Sequence, residues 1–396
     1  MLLRAPLRAR SRRRRNRGGV SAAVGTALRV PFGALALDYR EKRAAIDAAI
    51  ARVLERGWFV LGEEVAAFEA AFAKFLGVSH VVACANGTEA IALALRALGA
   101  GPEDEVVLPA NTCGPTLAGV RMAGARPVLA DVDEDTLTLG AADAEKVLTP
   151  ATRVLLPVHL YGGLADLPGL VALANARKLA LVEDCAQSHG ALLDGRAAGS
   201  FGRTSAFSFY PSKNLGAYGD GGAVATSEPK TADRLRQLRQ YGWSRRDFSE
   251  SEGWNSRLDE LQAAILGVKL PSLATENARR LLIANRYDAA FAQLPLRRVG
   301  TRPGSVPARH LYTVRTEKRE ALREHLSARG VETSVHYPVP LHLQPAYAFL
   351  GGKQGDFPVS EKACETIVSL PLYAALTDAQ VEAVVDAVTS FFEKKP

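Results

Sequence analysis

Cysteine, methionine and aromatic residues are scarce: the 396-residue chain holds 4 Cys, 2 Met and 7% aromatics. Cys84, Cys113, Cys185 and Cys364 are far apart and lack the paired spacing of a zinc site or redox motif. They read as reduced, mostly buried thiols, each in or beside an apolar stretch. His336 and His342 have no third ligand nearby, so no metal is expected. Long apolar runs are missing too: none approaches the ~18 residues of a membrane span, and no secretory apolar segment follows the N-terminal arginines. No membrane partner is expected, and the cytoplasm is the default location. Finally, the first 37 positions contain no acidic residue, Asp38 being the first.

That last gap explains the net charge. Eight of the 49 basic residues are arginines between Arg4 and Arg17, and without them 41 basic residues face 42 acidic ones. The formal +7 therefore belongs to an arm, and the balanced remainder calls for no nucleic acid. Residues 1–29 are rich in Arg and Ala, with too few large apolar side chains to pack, and should be disordered. A nucleic-acid or membrane arm, a transit peptide and a vestigial or misassigned start before Val30 compete here; the last is the reading taken.

The length of 396 residues allows two or three domains, and 47% apolar residues suffice for a buried core. Helical spacing of Ile46, Ala49, Ile50, Val53 and Leu54 pauses at Gly57 to Gly62 and resumes at Val65, Phe68, Phe72 and Phe75, predicting two helices joined by a Gly-bounded turn. From Val81 to Ser227 short β-rich runs alternate with helical ones: Val106–Pro109, Pro127–Asp131, Val154–Leu160, Leu179–Asp184, Thr204–Phe209 and Ala223–Ala225. Alternation predicts a largely parallel sheet covered on both faces, with ligands at the carboxyl ends of its strands. A helical region from Arg257 to about Leu294, broken or kinked at Pro271, leads into a compact α/β unit. That unit should hold strands at Leu311–Val314 and Thr333–Tyr337 and helices at Glu317–Arg329 and from Asp378. The expected division is a large domain over residues 30–272 and a small one over 273–396.

Polar residues after the strands carry the chemistry. Asp184 ends an apolar strand, where an unpaired carboxylate would neutralise; alone it reads more readily as a helix cap. Lys213 follows an aromatic run and precedes Gly216, Gly219, Gly221 and Gly222. Desolvation there would lower its pKa and make it a nucleophile; alone it reads more readily as a solvated loop cation. Asn86-Gly87-Thr88-Glu89 opens a helix, so the Gly87 and Thr88 amides can cradle a phosphate. An anion cradle, a strand-end Asp and a loop Lys together form the set that pyridoxal 5′-phosphate (PLP) requires: phosphate at the helix start, Asp on the pyridinium nitrogen, Lys as Schiff base.

The chain resembles the DegT/DnrJ/EryC1/StrS sugar aminotransferases over about Val30 to its C-terminus. The resemblance lies in Arg56–Gly62, Asn86–Ala90, Pro157–Gly162, Glu183–His189, Phe209–Gly222, Asn255–Ala264 and His336–His342. It implies the aspartate-aminotransferase-like α/β fold (PLP fold type I), with a mostly parallel seven-stranded sheet in the large domain and a smaller C-terminal α/β domain. By position it implies Lys213 as Schiff-base lysine and proton carrier, Asp184 on the ring nitrogen and Gln187 at the ring face or 3-hydroxyl. It implies Ser208 beside Gly87 and Thr88 on the phosphate, and Asn255 completing that site across a homodimer. One departure stands out: Cys113 occupies the position where members usually stack an aromatic residue or His on the ring. His159 and His189 are candidates near the cofactor, equally readable as structural. Trp58, Phe59, His310, His336 and Tyr337 are candidates for the sugar pocket or for the core; His159 is a substrate candidate as well.

The resemblance implies ping-pong transamination with L-glutamate as donor, and the retained Lys213 favours amine transfer over dehydration. The stretches around Lys213, Tyr241–Ser244 and Asn255–Asp259 look most like the branch that aminates C3 of dTDP-3-keto-6-deoxyhexoses in deoxyamino-sugar biosynthesis. C4-aminating and cyclitol aminotransferases are the alternatives, and a non-catalytic PLP-fold regulator is a remote one.

Overall fold

A computed structural model describes residues 28–393. The expectations for the basic arm up to residue 27 lie outside the described residues. The two N-terminal helices form where expected: α1 (Leu35–Arg56) ends on Gly57, whose φ of +68° closes the helix, and α2 (Glu63–Leu76) starts after Gly62. Ile46, Ala49 and Val53 form the buried face of α1. Phe68 and Phe72 of α2 meet Phe209 edge to face.

Seven strands make the central sheet: β1 (His80–Cys84), β2 (Glu105–Pro109), β3 (Arg126–Ala130), β4 (Thr152–Leu155), β5 (Ala180–Asp184), and, after a small β6–β7 hairpin (Leu192–Leu193 and Arg196–Ala197), β8 (Thr204–Ser208) and β9 (Gly222–Thr226). Their order is β1-β9-β8-β5-β4-β2-β3. Only β9 runs antiparallel, pairing β1 on one side and β8 on the other. Strands buried on both faces need apolar side chains in both directions, which is why they read as continuous apolar runs. Two cores flank the sheet, one under α2 with Phe207 and Phe209, the other under α3 (Gly87–Ala97) and α4 (Gly114–Met122). The mostly parallel seven-stranded α/β architecture is as expected.

Pro271 acts as predicted: the helix Glu260–Lys269 gives way to a 3-10 turn, Leu270–Ser272, before the helix Leu273–Ala290. Beyond it, Tyr287, Phe291, Tyr312, Leu326, Val368 and Val384 build a separate core, into which Val30 also packs. The three-stranded sheet there differs from expectation. Its strands are Arg297–Arg298, Tyr312–Arg315 and Ile367–Leu370. The run Thr333–Tyr337 contributes only a bridge from Ser334 to Ser369 on the outer edge of Ile367–Leu370, which is the strand that pairs Tyr312–Arg315. Among the described residues, no helix is long and apolar enough to cross a membrane.

Candidate active site

The carboxyl ends of β1, β2, β5 and β8 open into one cavity of about 700 Å³, lined by Gly87, Thr88, Cys113, Asp184, Ser208, Lys213 and Tyr337 among others. At the β1 end, Asn86 caps α3: its side-chain oxygen accepts from the Glu89 amide at 2.9 Å, and its Nδ2 donates to the Glu89 carboxylate at 2.9 Å. This satisfies the third amide of the helix and leaves those of Gly87 and Thr88 without a protein acceptor among the described residues, so both can serve an anion. Gly87 is required by packing: a Cβ there would lie 2.5 Å from the Ser208 Cβ. The helix start and Ser208 thus touch, and Gly87, Thr88 and Ser208 line the same cavity.

Asp184 ends β5, 2% exposed. Its Oδ1 accepts from the Ala186 amide at 3.0 Å and its Oδ2 from the Thr116 hydroxyl at 2.8 Å. Burial pushes its pKa up, and the Ala186 and Thr116 donors and the charge of Lys213 only partly offset this. The carboxyl is therefore suited to a protonated nitrogen as partner. Gln187, 4% exposed, is locked: Oε1 accepts from the Tyr161 amide at 2.7 Å and Nε2 donates to the Tyr337 hydroxyl at 3.1 Å.

Lys213 sits in the turn after β8, its amide bonded to the Tyr210 carbonyl at 2.8 Å. Its neighbours are pinned. Asn214 donates to Asn277 and to the Ala308 carbonyl, both at 2.8 Å, and Lys269 donates to the Gly216 carbonyl at 2.6 Å. The Lys213 amine makes no hydrogen bond or ion pair among the described residues. Burial holds its pKa below the ordinary lysine value, against the pull of Cys113 and Asp184. An amine kept free and easily deprotonated is a nucleophile.

Other candidates are placed differently. Cys113 lines the cavity and caps α4, its thiol 3.8 Å from the Thr116 hydroxyl. His159 is corrected as a substrate contact. It is fully buried, its Nδ1 accepting from the Ala165 amide at 3.2 Å and its Nε2 facing Glu183 at 3.0 Å, which fixes the neutral Nε2–H form and leaves nothing for a ligand. His336 likewise turns from the cavity, stacking on Phe32 with Nδ1 2.9 Å from the Ser369 hydroxyl; burial lowers its pKa to about 4. Tyr337 does line the cavity. Trp58 lies outside it, exposed, its indole donating to the Val60 carbonyl at 2.7 Å, and the exposed Asn255, bridged to Gln240, lies outside it too. His189 is buried against Phe72, Phe207 and Phe209, and burial lowers its pKa to about 3. Sequence reasoning missed Thr116, whose contact with Asp184 spans 68 positions and leaves no local signal.

A helix start with two free amides packed against Ser208, a buried carboxyl and a depressed, unpaired lysine at the strand ends define a PLP-dependent transferase of the aspartate-aminotransferase-like fold, and these residues fit that cofactor. Comparison with known proteins narrows the class. Residues 40–389 match the model of the DegT/DnrJ/EryC1/StrS aminotransferase family, and the chain belongs to that family. It is 47% identical over 369 residues to the dTDP-3-amino-3,4,6-trideoxy-alpha-D-glucose transaminase of Streptomyces venezuelae, covering 92% of this chain and 97% of that protein. It superposes with TM-score 0.91 and 47% identity on the crystal structure of S. venezuelae DesV in complex with a ketimine intermediate, over 93% of this chain and all of that one. NtdA from Bacillus subtilis with bound cofactor PMP follows at TM-score 0.86 and 30% identity, over 92% of this chain and 86% of that one. The protein is a PLP-dependent sugar aminotransferase.

Proposed function

We propose that this aminotransferase moves the amino group of L-glutamate to C3 of a dTDP-linked 3-keto-6-deoxyhexose in the cytoplasm. The observation that carries the reading is the joint placement of Asp184, Lys213 and the Gly87–Thr88–Ser208 cradle on one cavity, in a chain half identical to a dTDP-3-aminosugar transaminase. When bound, PLP supplies an electron sink that stabilises negative charge on the substrate carbon. Lys213 would attach the cofactor and, in each half-reaction, would move a proton between the carbon of the bound substrate and the cofactor. Asp184 would hold a proton on the ring nitrogen, and Gly87, Thr88 and Ser208 would bind the phosphate; Gln187, outside the cavity lining, would act through Tyr337, to whose hydroxyl its Nε2 donates. Cys113 takes the ring-stacking position and Tyr337 borders the sugar.

The reading includes a homodimer with shared sites. Trp58, Phe59, Tyr241 and Phe248 are exposed apolar side chains, and Asn255 is exposed where it bridges Gln240, next to Tyr241, which supports a role for Asn255 of the partner subunit at the phosphate. Incubation of the purified protein and glutamate with 3-keto and 4-keto dTDP-sugars, with mass-spectrometric detection of aminosugar and 2-oxoglutarate, tests the proposal. Amination of the 3-keto sugar is expected; amination of the 4-keto sugar alone overturns the regiochemistry, and turnover without glutamate consumption overturns the transamination.

A further inference from the structure

The cavity wall contains a chain of hydroxyls that ends on Asp184. Thr112 follows β2, and its Oγ1 lies 3.0 Å from Oγ1 of Thr116, in the first turn of α4. Thr116 Oγ1 in turn lies 2.8 Å from Asp184 Oδ2. Thr112 and Thr116 are 1% and 0% exposed, so no solvent competes for either hydroxyl. A hydroxyl has one proton, and a carboxylate only accepts. The proton of Thr116 therefore points at Asp184, which obliges Thr116 to accept from Thr112. The chain runs one way, each bond polarising the next.

We infer that Thr116, oriented by Thr112, is a positioning residue that fixes the plane and the basicity of Asp184 and thereby keeps the ring nitrogen of PLP protonated. The other donor to this carboxyl is the backbone amide of Ala186, so Thr116 is its one side-chain hydroxyl donor among the described residues. Asp184 itself lines the cavity. Lys213 acts on Asp184 by charge, Glu183 precedes it on β5, and Cys113 approaches through Thr116. His159 and Glu183 are occupied with each other, which leaves the hydroxyl chain as the adjustable contact. A hydrogen bond donated to a carboxylate favours its charged form. Removing it makes Asp184 more basic and draws the shared proton from the ring nitrogen towards the carboxyl.

This inference rests on the assignment of Asp184 to the ring nitrogen, and its test needs no sugar, so it stands or falls apart from the proposed substrate. Apo-protein variants Thr116→Val, Thr116→Ser and Thr112→Val are titrated with PLP, and the ring-nitrogen resonance is read on protein loaded with 15N-labelled PLP at constant pH. In Thr116→Val the Kd for PLP rises about tenfold, the loss expected for one hydrogen bond to a charged group, and the resonance moves towards the unprotonated value. Thr116→Ser restores both, and Thr112→Val shifts both in the same direction by a smaller factor of about two to three. Unchanged resonance and affinity within twofold in Thr116→Val overturn the inference, as does failure of Thr116→Ser to rescue. If Thr116→Val does not fold, an unshifted resonance in Thr112→Val refutes the relay.

Discussion

Glu183 offers the sharpest test of how the floor of the site is held. It is fully buried, and each of its oxygens takes two donors. Oε1 accepts from the Phe201 amide at 2.8 Å and the Gly202 amide at 2.7 Å; Oε2 accepts from the Gly199 amide at 2.8 Å and faces His159 Nε2 at 3.0 Å. Glu183→Gln keeps the shape, but whichever way the amide is turned its NH2 faces two donors. His159 cannot escape by switching tautomer, because its Nδ1 already accepts from Ala165. An unsatisfied buried donor costs ~1–3 kcal/mol, so the variant should lose about 3–5 kcal/mol. At about 2 °C per kcal/mol for a large chain, the apo-protein should unfold roughly 6–10 °C lower at fixed protein concentration. Glu228→Gln, in the exposed pair with Arg203, should stay within about 1 kcal/mol. The pH dependence has a definite sign. Burial raises the pKa of Glu183, but His159 and the Gly202 and Gly199 amides outweigh it and leave the pKa below the ordinary value. Its contribution is thus fully present above the unfolded value of ~4.3 and is lost as pH falls through the folded one. The difference between wild type and Glu183→Gln should shrink on acidification. A variant within 1 kcal/mol of wild type at neutral pH, or a difference that grows in acid, refutes the reasoning.

Three further outcomes follow from the geometry. Gly87→Ala drives a Cβ to 2.5 Å from the Ser208 Cβ, whereas Gly101→Ala meets nothing within 4 Å; fluorescence titration with PLP should show at least a ~10-fold weaker Kd for the first, given an overpacking cost of ~1–3 kcal/mol, and no change for the second. Lys213→Met should abolish borohydride trapping of PLP, read by mass spectrometry. Because burial lowers the pKa of Lys213 in the folded state, apo wild type should gain stability relative to Lys213→Met as pH rises from that lowered value towards ~10.4, seen as converging unfolding midpoints. Lys269→Met removes a buried ammonium that bonds the Gly216 carbonyl at 2.6 Å and pairs Asp38 at 2.8 Å; calorimetry should show about 3 kcal/mol of destabilisation, and a loss under 1 kcal/mol would mean this tether does not hold the Lys213 turn.

The division between what the residues announced and what only the fold revealed follows the range of the interactions. Six of the seven strands of the central sheet, all but His80–Cys84, were legible as runs because burial on both faces writes itself into four or five consecutive positions. Gly57, Gly62 and Pro271 act through their own backbones, so the breaks they cause were legible as well. Ile367–Leu370 was not, since it follows the helix Pro358–Thr366 with no glycine or proline between them. Thr333–Tyr337 has the composition of a strand, but it meets the sheet only where Ser334 and Ser369 exchange backbone hydrogen bonds on the outer edge of Ile367–Leu370, a fact of the fold and not of the segment.

The same distinction governs the site. Gly87, Asp184 and Lys213 carry signals in their immediate neighbours, a helix start, a strand end and a glycine-rich turn, and the fold brings all three to one cavity. Histidines carry no such signal, because an imidazole suits a ligand and a buried hydrogen-bond pair equally. His159 and His336 are resolved only by partners 24 and 33 positions away, Glu183 and Ser369. Thr116 lies at the far end of this scale: a threonine early in a helix is ordinary, and it gains meaning only because α4 sets its first turn against the end of β5. Residues that touch a ligand tend to be chemically conspicuous, whereas those that tune them need only a hydroxyl in the right place. Around Asp184, that hydroxyl is the group a sequence reading is least equipped to find.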